Sequence, residues 1–154
     1  MSDTPKTGTV GWREWVHLPE FDGLYIKAKV DTGAKTSALH AFFVEPFERN
    51  GEAWVRFGLH PQQGCQSTEA VCEARALEQR EVTDSGGHKE TRYVITTAFA
   101  VGGRIINTEA TLTNRDSMRF RMLLGRNTLK GHFTVDPQRS FLCGGDKHHP
   151  PQRC

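Results

Sequence analysis

The chain has 154 residues, with 20 Lys and Arg against 18 Asp and Glu and a formal charge of +2. That length suits one ordinary domain burying roughly two-thirds of its unfolded surface, and it excludes two full enzymatic lobes. The near balance of charge excludes a dedicated nucleic-acid binder. The early part of the chain, with Lys6, Arg13, Glu14, Glu20 and Asp22, holds no apolar run long enough for a signal-peptide core or a membrane span, so a cytoplasmic protein is expected.

Residues 1–8 and 144–154 are polar and rich in Gly, Pro and His, which predicts disordered ends around one folded domain over residues 9–143. Within it, short runs of Val, Ile, Thr, Phe and Tyr alternate with Gly-containing turns, the pattern of a closed or sandwiched β domain. Strands are predicted over 12–18 and 23–30; in the second, Ile26, Ala28 and Val30 alternate with Lys27 and Lys29. An apolar stretch over 36–47 runs to Arg49-Asn50-Gly51, and Asn-Gly is the favoured pair for a tight hairpin returning through 54–59. Residues 61–68 read as a polar loop. Segments 75–83 and 91–101 flank Asp84-Ser85-Gly86-Gly87-His88, which predicts a long hairpin with a mobile tip, the best candidate for a flap. Gly102-Gly103 predicts another turn, 104–113 another strand, 120–124 a short apolar strand and 126–130 one helical turn. Residues 132–136 and 140–143 are expected to close the domain as a hairpin across Pro137-Gln138-Arg139.

Four cysteines, Cys65, Cys72, Cys143 and Cys154, match no CxxC zinc spacing and read as reduced thiols, a Cys65 to Cys72 disulfide being the alternative.

Chemistry concentrates in Val30-Asp31-Thr32-Gly33-Ala34. A carboxylate follows an apolar strand directly, on a turn where Gly33 lets the backbone bend and a second backbone approach. Thr32 offers a hydroxyl able to bond across to a symmetry-related loop. Asp-Thr-Gly arises by chance in roughly 3% of chains this long, and the bland reading of such a triplet is a turn cap. A second feature, Met122-Leu123-Leu124-Gly125-Arg126-Asn127-Thr128-Leu129, shifts the balance: an apolar strand broken by Gly and followed by a helical turn.

These two segments together resemble the halves of a retropepsin subunit. More closely, residues 30–41 (VDTGAKTSALHA), 84–92 (DSGGHKETR), 112–118 (LTNRDSM) and 122–126 (MLLGR) are similar to a bacterial family labelled ATP-dependent zinc proteases, over about residues 10–143. The resemblance implies a retropepsin fold: all-β, a single closed barrel-like domain with a flap hairpin and one short helix. It also implies aspartic peptidase activity and an association with RimK-type ATP-grasp ligases that add glutamate to protein or peptide ends, with members trimming such additions. The label fits the sequence poorly. Neither a GxxxxGK[ST] phosphate loop nor an HExxH zinc pair is present.

Pepsin-type hydrolysis needs two carboxylates sharing one proton. One Asp-Thr-Gly per chain therefore predicts a homodimer with two Asp31 side chains meeting about a twofold axis. Asp116 and Asp136 are the alternative internal acids; both sit in turn contexts and neither precedes a Gly. The expected catalytic residues are Asp31, Thr32 and Gly33. Substrate contacts are expected from Ala34, Lys35, Ser85, Gly86, His88, Arg92 and Arg126, the cations facing acidic groups of a peptide or protein substrate, for which glutamate-rich tails are the candidate. For each cation a structural salt bridge is the competing reading, Arg126 above all. No cofactor is expected; the alternative is a zinc site combining His40, His88, His132 and Asp31. A non-catalytic module binding acidic peptides is the remaining rival, drawing on the same Lys35, Arg92 and Arg126.

Overall fold

A computed structural model describes residues 8–21, 23–60, 69–83, 86–114 and 120–143. Its strands are β1 (Gly8–Val10), β2 (Arg13–Leu18), β3 (Leu24–Val30), β4 (Ser37–His40), β5 (Phe43–Arg49), β6 (Glu52–Leu59), β7 (Ala70–Arg75), β8 (Glu78–Thr83), β9 (Lys89–Val101), β10 (Arg104–Thr113), β11 (Met122–Leu124) and β12 (Phe133–Val135). One short helix, α1 (Arg126–Leu129), separates the last two.

The fold is all-β. Strands β10, β4, β11, β3, β2 and β9 form a ring that the β9–β10 pairing closes, and β8 extends β9 outside it. A second sheet holds β5, β6 and β7, and β1 pairs with β12 in a small parallel sheet. Alternation places the core as the sequence implies. In β3, Ile26, Ala28 and Val30 are buried while Lys29 is exposed, and they pack with Val16, Leu18, Leu39, Met122 and Leu124.

The two-residue turns follow from their glycines. Asn50 and Gly51 have φ of 53° and 78°, and Gly102 and Gly103 have 58° and 81°. Positive φ at both central positions matches the twist of the flanking strands, so the β5–β6 and β9–β10 hairpins close tightly.

Three expectations need correction. The run over 36–47 is two strands. All four residues of β4 are buried between β10 and β11, after which the chain leaves for the second sheet, so the continuous apolar pattern marks a strand covered on both faces. The segment expected as 75–83 begins at Glu78; before it β7 pairs with β6, with Cys72 and Ala74 buried as small residues that conceal the alternation. The expected closing hairpin does not form. β12 pairs instead with β1, in register Gly8 with Phe133, so Gly8 begins a strand rather than belonging to a loose end. Residues 139–143 pack as irregular chain, because β2 already has its ladder partner in β3 and supplies the buried Glu14 carboxylate for the N–H groups of Leu142 and Cys143. The 61–68 loop, Cys65, Cys154 and residues 144–154 lie outside the described residues. Cys143 is a free thiol.

Candidate active site

Parallel pairing of β11 with β3 sets Leu124 beside Val30, and the Asp31 N–H donates to the Leu124 carbonyl at 2.9 Å. The acid therefore leaves the ring of strands where β3 and β11 end together. Its loop turns tightly: the Ala34 N–H donates to the Asp31 carbonyl at 3.1 Å and the Gly33 N–H to Asp31 Oδ1 at 3.0 Å. Gly33 is not in the left-handed region, so a bend does not require glycine here. A Cβ at Gly33 would meet Asp31 Oδ1 at 3.3 Å, crowding the carboxylate.

The loop and α1 complete each other. α1 has no side-chain N-cap; its first N–H groups, of Arg126 and Asn127, donate to the Ala34 and Lys35 carbonyls at 2.8 and 3.1 Å. Arg126 Nη1 donates to the Thr32 carbonyl at 2.9 Å. Beneath lies a polar knot. Buried Ser37 Oγ lies 2.6 Å from Thr128 Oγ1, accepts from the Gly125 N–H at 2.9 Å and donates to Asn127 Oδ1 at 3.1 Å. Asn127 Nδ2 donates in turn to the Glu109 carbonyl at 2.8 Å. Sequence reasoning missed Ser37 and Thr128; small hydroxyls carry no local signal until their partners, some ninety residues apart, are known.

Gly125 is fixed by close approach. A Cβ there would lie 2.6 Å from the Thr36 carbonyl carbon and 2.9 Å from the Ser37 nitrogen, all backbone. Gly125→Ala is expected to destabilise the fold by about 1–3 kcal/mol through overpacking, read as a lower denaturant midpoint at unchanged m-value. An unchanged midpoint would show that the two segments separate freely.

The site residues divide by their partners. Asp31 is half-buried, with no cation paired to it among the described residues. Thr32 and Lys35 are exposed, and their side chains have no partner among the described residues. Ala34 is half-buried in the loop, and Gly86 and His88 are exposed at the end of the β8–β9 hairpin; Ser85 lies outside the described residues, as does Asp116. Arg92 is committed internally. Its side chain is 10% exposed, pairs with Glu90 and donates to Thr111 Oγ1 at 3.3 Å, while Thr113 Oγ1 donates to Glu90 at 2.8 Å. Asp136 accepts from the Gln138 N–H at 3.0 Å and faces Arg139 at 3.7 Å, a turn acid at work in its turn.

His40 is buried in β4, His88 sits on the flap hairpin and His132 precedes β12, each on a different element from Asp31. Among the described residues no three His, Cys, Asp or Glu side chains gather as metal ligands. Among the described residues, then, His40, His88, His132 and Asp31 do not come together as the zinc site that the family label suggests. No helix of the described residues is long and apolar enough to cross a membrane.

The profile of the family described as "Retropepsin-like aspartic endopeptidase RimB" matches residues 9–144. The chain belongs to the RimB-like family. A protein of Shewanella pealeana named "Probable alpha-L-glutamate ligase" is 45% identical over 138 residues, covering 90% of this chain and 30% of the relative. One of Parasynechococcus marenigrum with the same name is 46% identical over 135 residues, 88% of this chain and 29% of the relative. The chain thus spans about 30% of the length of the curated relatives it matches. The crystal structure of Lpg0085 from Legionella pneumophila, titled as of unknown function, superposes with a TM-score of 0.73 at 25% identity, covering 90% of this chain and 99% of that one.

Proposed function

We propose that the chain is an aspartic-type endopeptidase whose carboxylate dyad is formed by Asp31 of two copies, acting on acidic, glutamate-rich peptide. The observation that carries the reading is the state of Asp31: a half-buried carboxylate at a strand end, oriented by its own loop and engaged by no cation among the described residues. In such a pair, one ionised Asp31 takes a proton from water while its protonated twin donates to the carbonyl oxygen of the scissile amide. The unpartnered Thr32 hydroxyl is placed to brace the facing loop, and the Arg126 bond to the Thr32 carbonyl keeps that hydroxyl's backbone in position. Membership of the RimB-like family supports the peptidase chemistry. The substrate class rests on the relatives: a segment like this chain forms part of longer proteins named for glutamate ligation, so hydrolysis next to the products of ligation is the natural partner reaction. ATP chemistry then belongs to the ligase.

Mixing tests the dimer. When wild-type chain is refolded with an equal amount of Asp31→Asn chain, random pairing leaves roughly a quarter of the dimers with two carboxylates, so activity falls to about a quarter of an equal total of wild-type chain. A fall only to one half would mean that each chain works alone. Chelator is expected to leave the rate unchanged; inactivation restored by zinc would transfer the reaction to a metal.

A further inference from the structure

Alternation in β2 and β3 turns Arg13, Trp15 and His17 to one outer face, together with Tyr25, Lys27 and Lys29. Register pairs Arg13 with Lys29, Trp15 with Lys27 and His17 with Tyr25 directly across the ladder. The face therefore carries three cations and no carboxylate. Several cations elsewhere are neutralised locally: Arg49 and Arg56 by Glu73, Arg75 by Glu52, Arg80 by Glu78 and Glu109. Arg13, Lys27 and Lys29 have no ion pair among the described residues.

The heads of Arg13 and Lys27 lie on aromatic rings, while Lys29 is exposed. The Arg13 guanidinium is 4.6 Å from the Trp12 centroid and 5.0 Å from that of Phe141. Lys27 Nζ is 5.4 Å from Trp15 and 5.8 Å from Phe141. Phe141 stacks on Trp15 at 6.1 Å and holds a φ of 55°, a left-handed conformation that a bulky residue rarely adopts. Its ring lies within reach of both cations. Burial, then the neighbouring Arg13 charge, holds Lys27 below the ordinary lysine range, a condition that an arriving carboxylate relieves.

The geometry points to this face as a docking strip for the acidic side chains of an extended peptide, leading along β3 to the Asp31 loop. Same-side residues of a strand recur about every 7 Å, which is also the repeat of alternate side chains in an extended peptide. Lys29 and Lys27 stand two and four residues before Asp31, so consecutive same-side carboxylates of one glutamate-rich strand meet both in turn. The choice of occupant rests on the peptidase reading of the Asp31 loop. The strip itself rests on charge complementarity and spacing. It also relocates specificity, because Arg92 is committed to Glu90.

Hexaglutamate is titrated into the full chain carrying Asp31→Asn, by calorimetry and by tryptophan fluorescence, since Trp12 and Trp15 underlie the cations. Lys27→Gln and Lys29→Gln are each expected to weaken binding about threefold to fivefold and the pair about tenfold or more, with less salt dependence. Arg75→Gln, on the other sheet, is the control and leaves binding unchanged; matched unfolding midpoints verify folding. Absence of hexaglutamate binding, or binding indifferent to the paired substitution, overturns the strip. So does an oligonucleotide or anionic vesicle binding through Lys27 and Lys29 where hexaglutamate does not. The two readings fail separately. Wild-type chain that binds hexaglutamate through both lysines yet hydrolyses no acidic peptide removes the peptidase and keeps the strip; hydrolysis with unchanged KM in the paired variant does the reverse.

Discussion

Asp31→Asn chain is expected to unfold at the same denaturant concentration as the parent while hydrolysing acidic peptide roughly 10^3-fold more slowly, within the range for loss of a positioned acid or base. The two halves of that expectation have separate causes. Structurally, the side chain does little: Oδ1 accepts one N–H, from Gly33, and an asparagine oxygen at the same place accepts it equally well. The loop is held by backbone, through Leu124, Ala34 and Lys35, and by Arg126. Chemically, an amide neither takes a proton from water nor shares one with a twin, so the dyad is lost at once. Activity within tenfold of the parent, measured on homogeneous Asp31→Asn chain, would remove Asp31 from the reaction and leave the loop a turn cap.

What was legible in the sequence was what local pattern encodes. Ile26, Ala28 and Val30 announce a strand that buries one face, Asn50-Gly51 and Gly102-Gly103 announce hairpins whose φ values the structure shows, and 126–130 announces the short helix. The Asp31 turn was legible because an acid followed by Gly at a strand end is itself local. What was hidden depends on partners far along the chain. The β1–β12 pairing joins residues 125 apart, and nothing in Gly8–Val10 names Phe133 as its neighbour. For Arg92 the sequence left a substrate contact and a structural salt bridge both open; the fold pairs it with Glu90, with Thr111 and Thr113 from β10 behind. The cationic strip needed register as well as alternation: only the pairing of β2 with β3 brings Arg13 across from Lys29 and Trp15 across from Lys27.

Removal of Glu14 is expected to give the largest loss of stability. Alternation puts it on the inward face of β2 with Val16 and Leu18, where it is 0% exposed. Its Oε2 accepts from the Gly11 N–H at 2.7 Å and the Leu142 N–H at 2.8 Å, and its Oε1 from the Cys143 N–H at 3.1 Å. One buried carboxylate thus satisfies three backbone donors and pins residues 142–143 to β2, beside the Phe141 ring that supports the cations. Glu14→Ala strands all three donors, and the expected loss is on the order of 3–5 kcal/mol, a large share of the total stability typical of a domain. Glu14→Gln keeps an oxygen for two donors but turns an amide N–H toward the third, and is expected to lose about 1–3 kcal/mol. The Cys143 thiol supplies an independent readout. Burial, reinforced by the Glu14 charge, pushes it up to about 12 from 9.0, so this contribution to stability is complete below pH 9 and fades as pH rises toward 12. In the folded parent at neutral pH Cys143 should resist alkylation, while Glu14→Ala should expose it to the reagent, as peptide mapping would show. A Glu14→Ala chain that keeps both its unfolding midpoint and its protected thiol would mean that residues 139–143 are held without the carboxylate, by the Trp12–Arg139 and Phe141–Arg13 backbone bonds and the stack of Phe141 on Trp15.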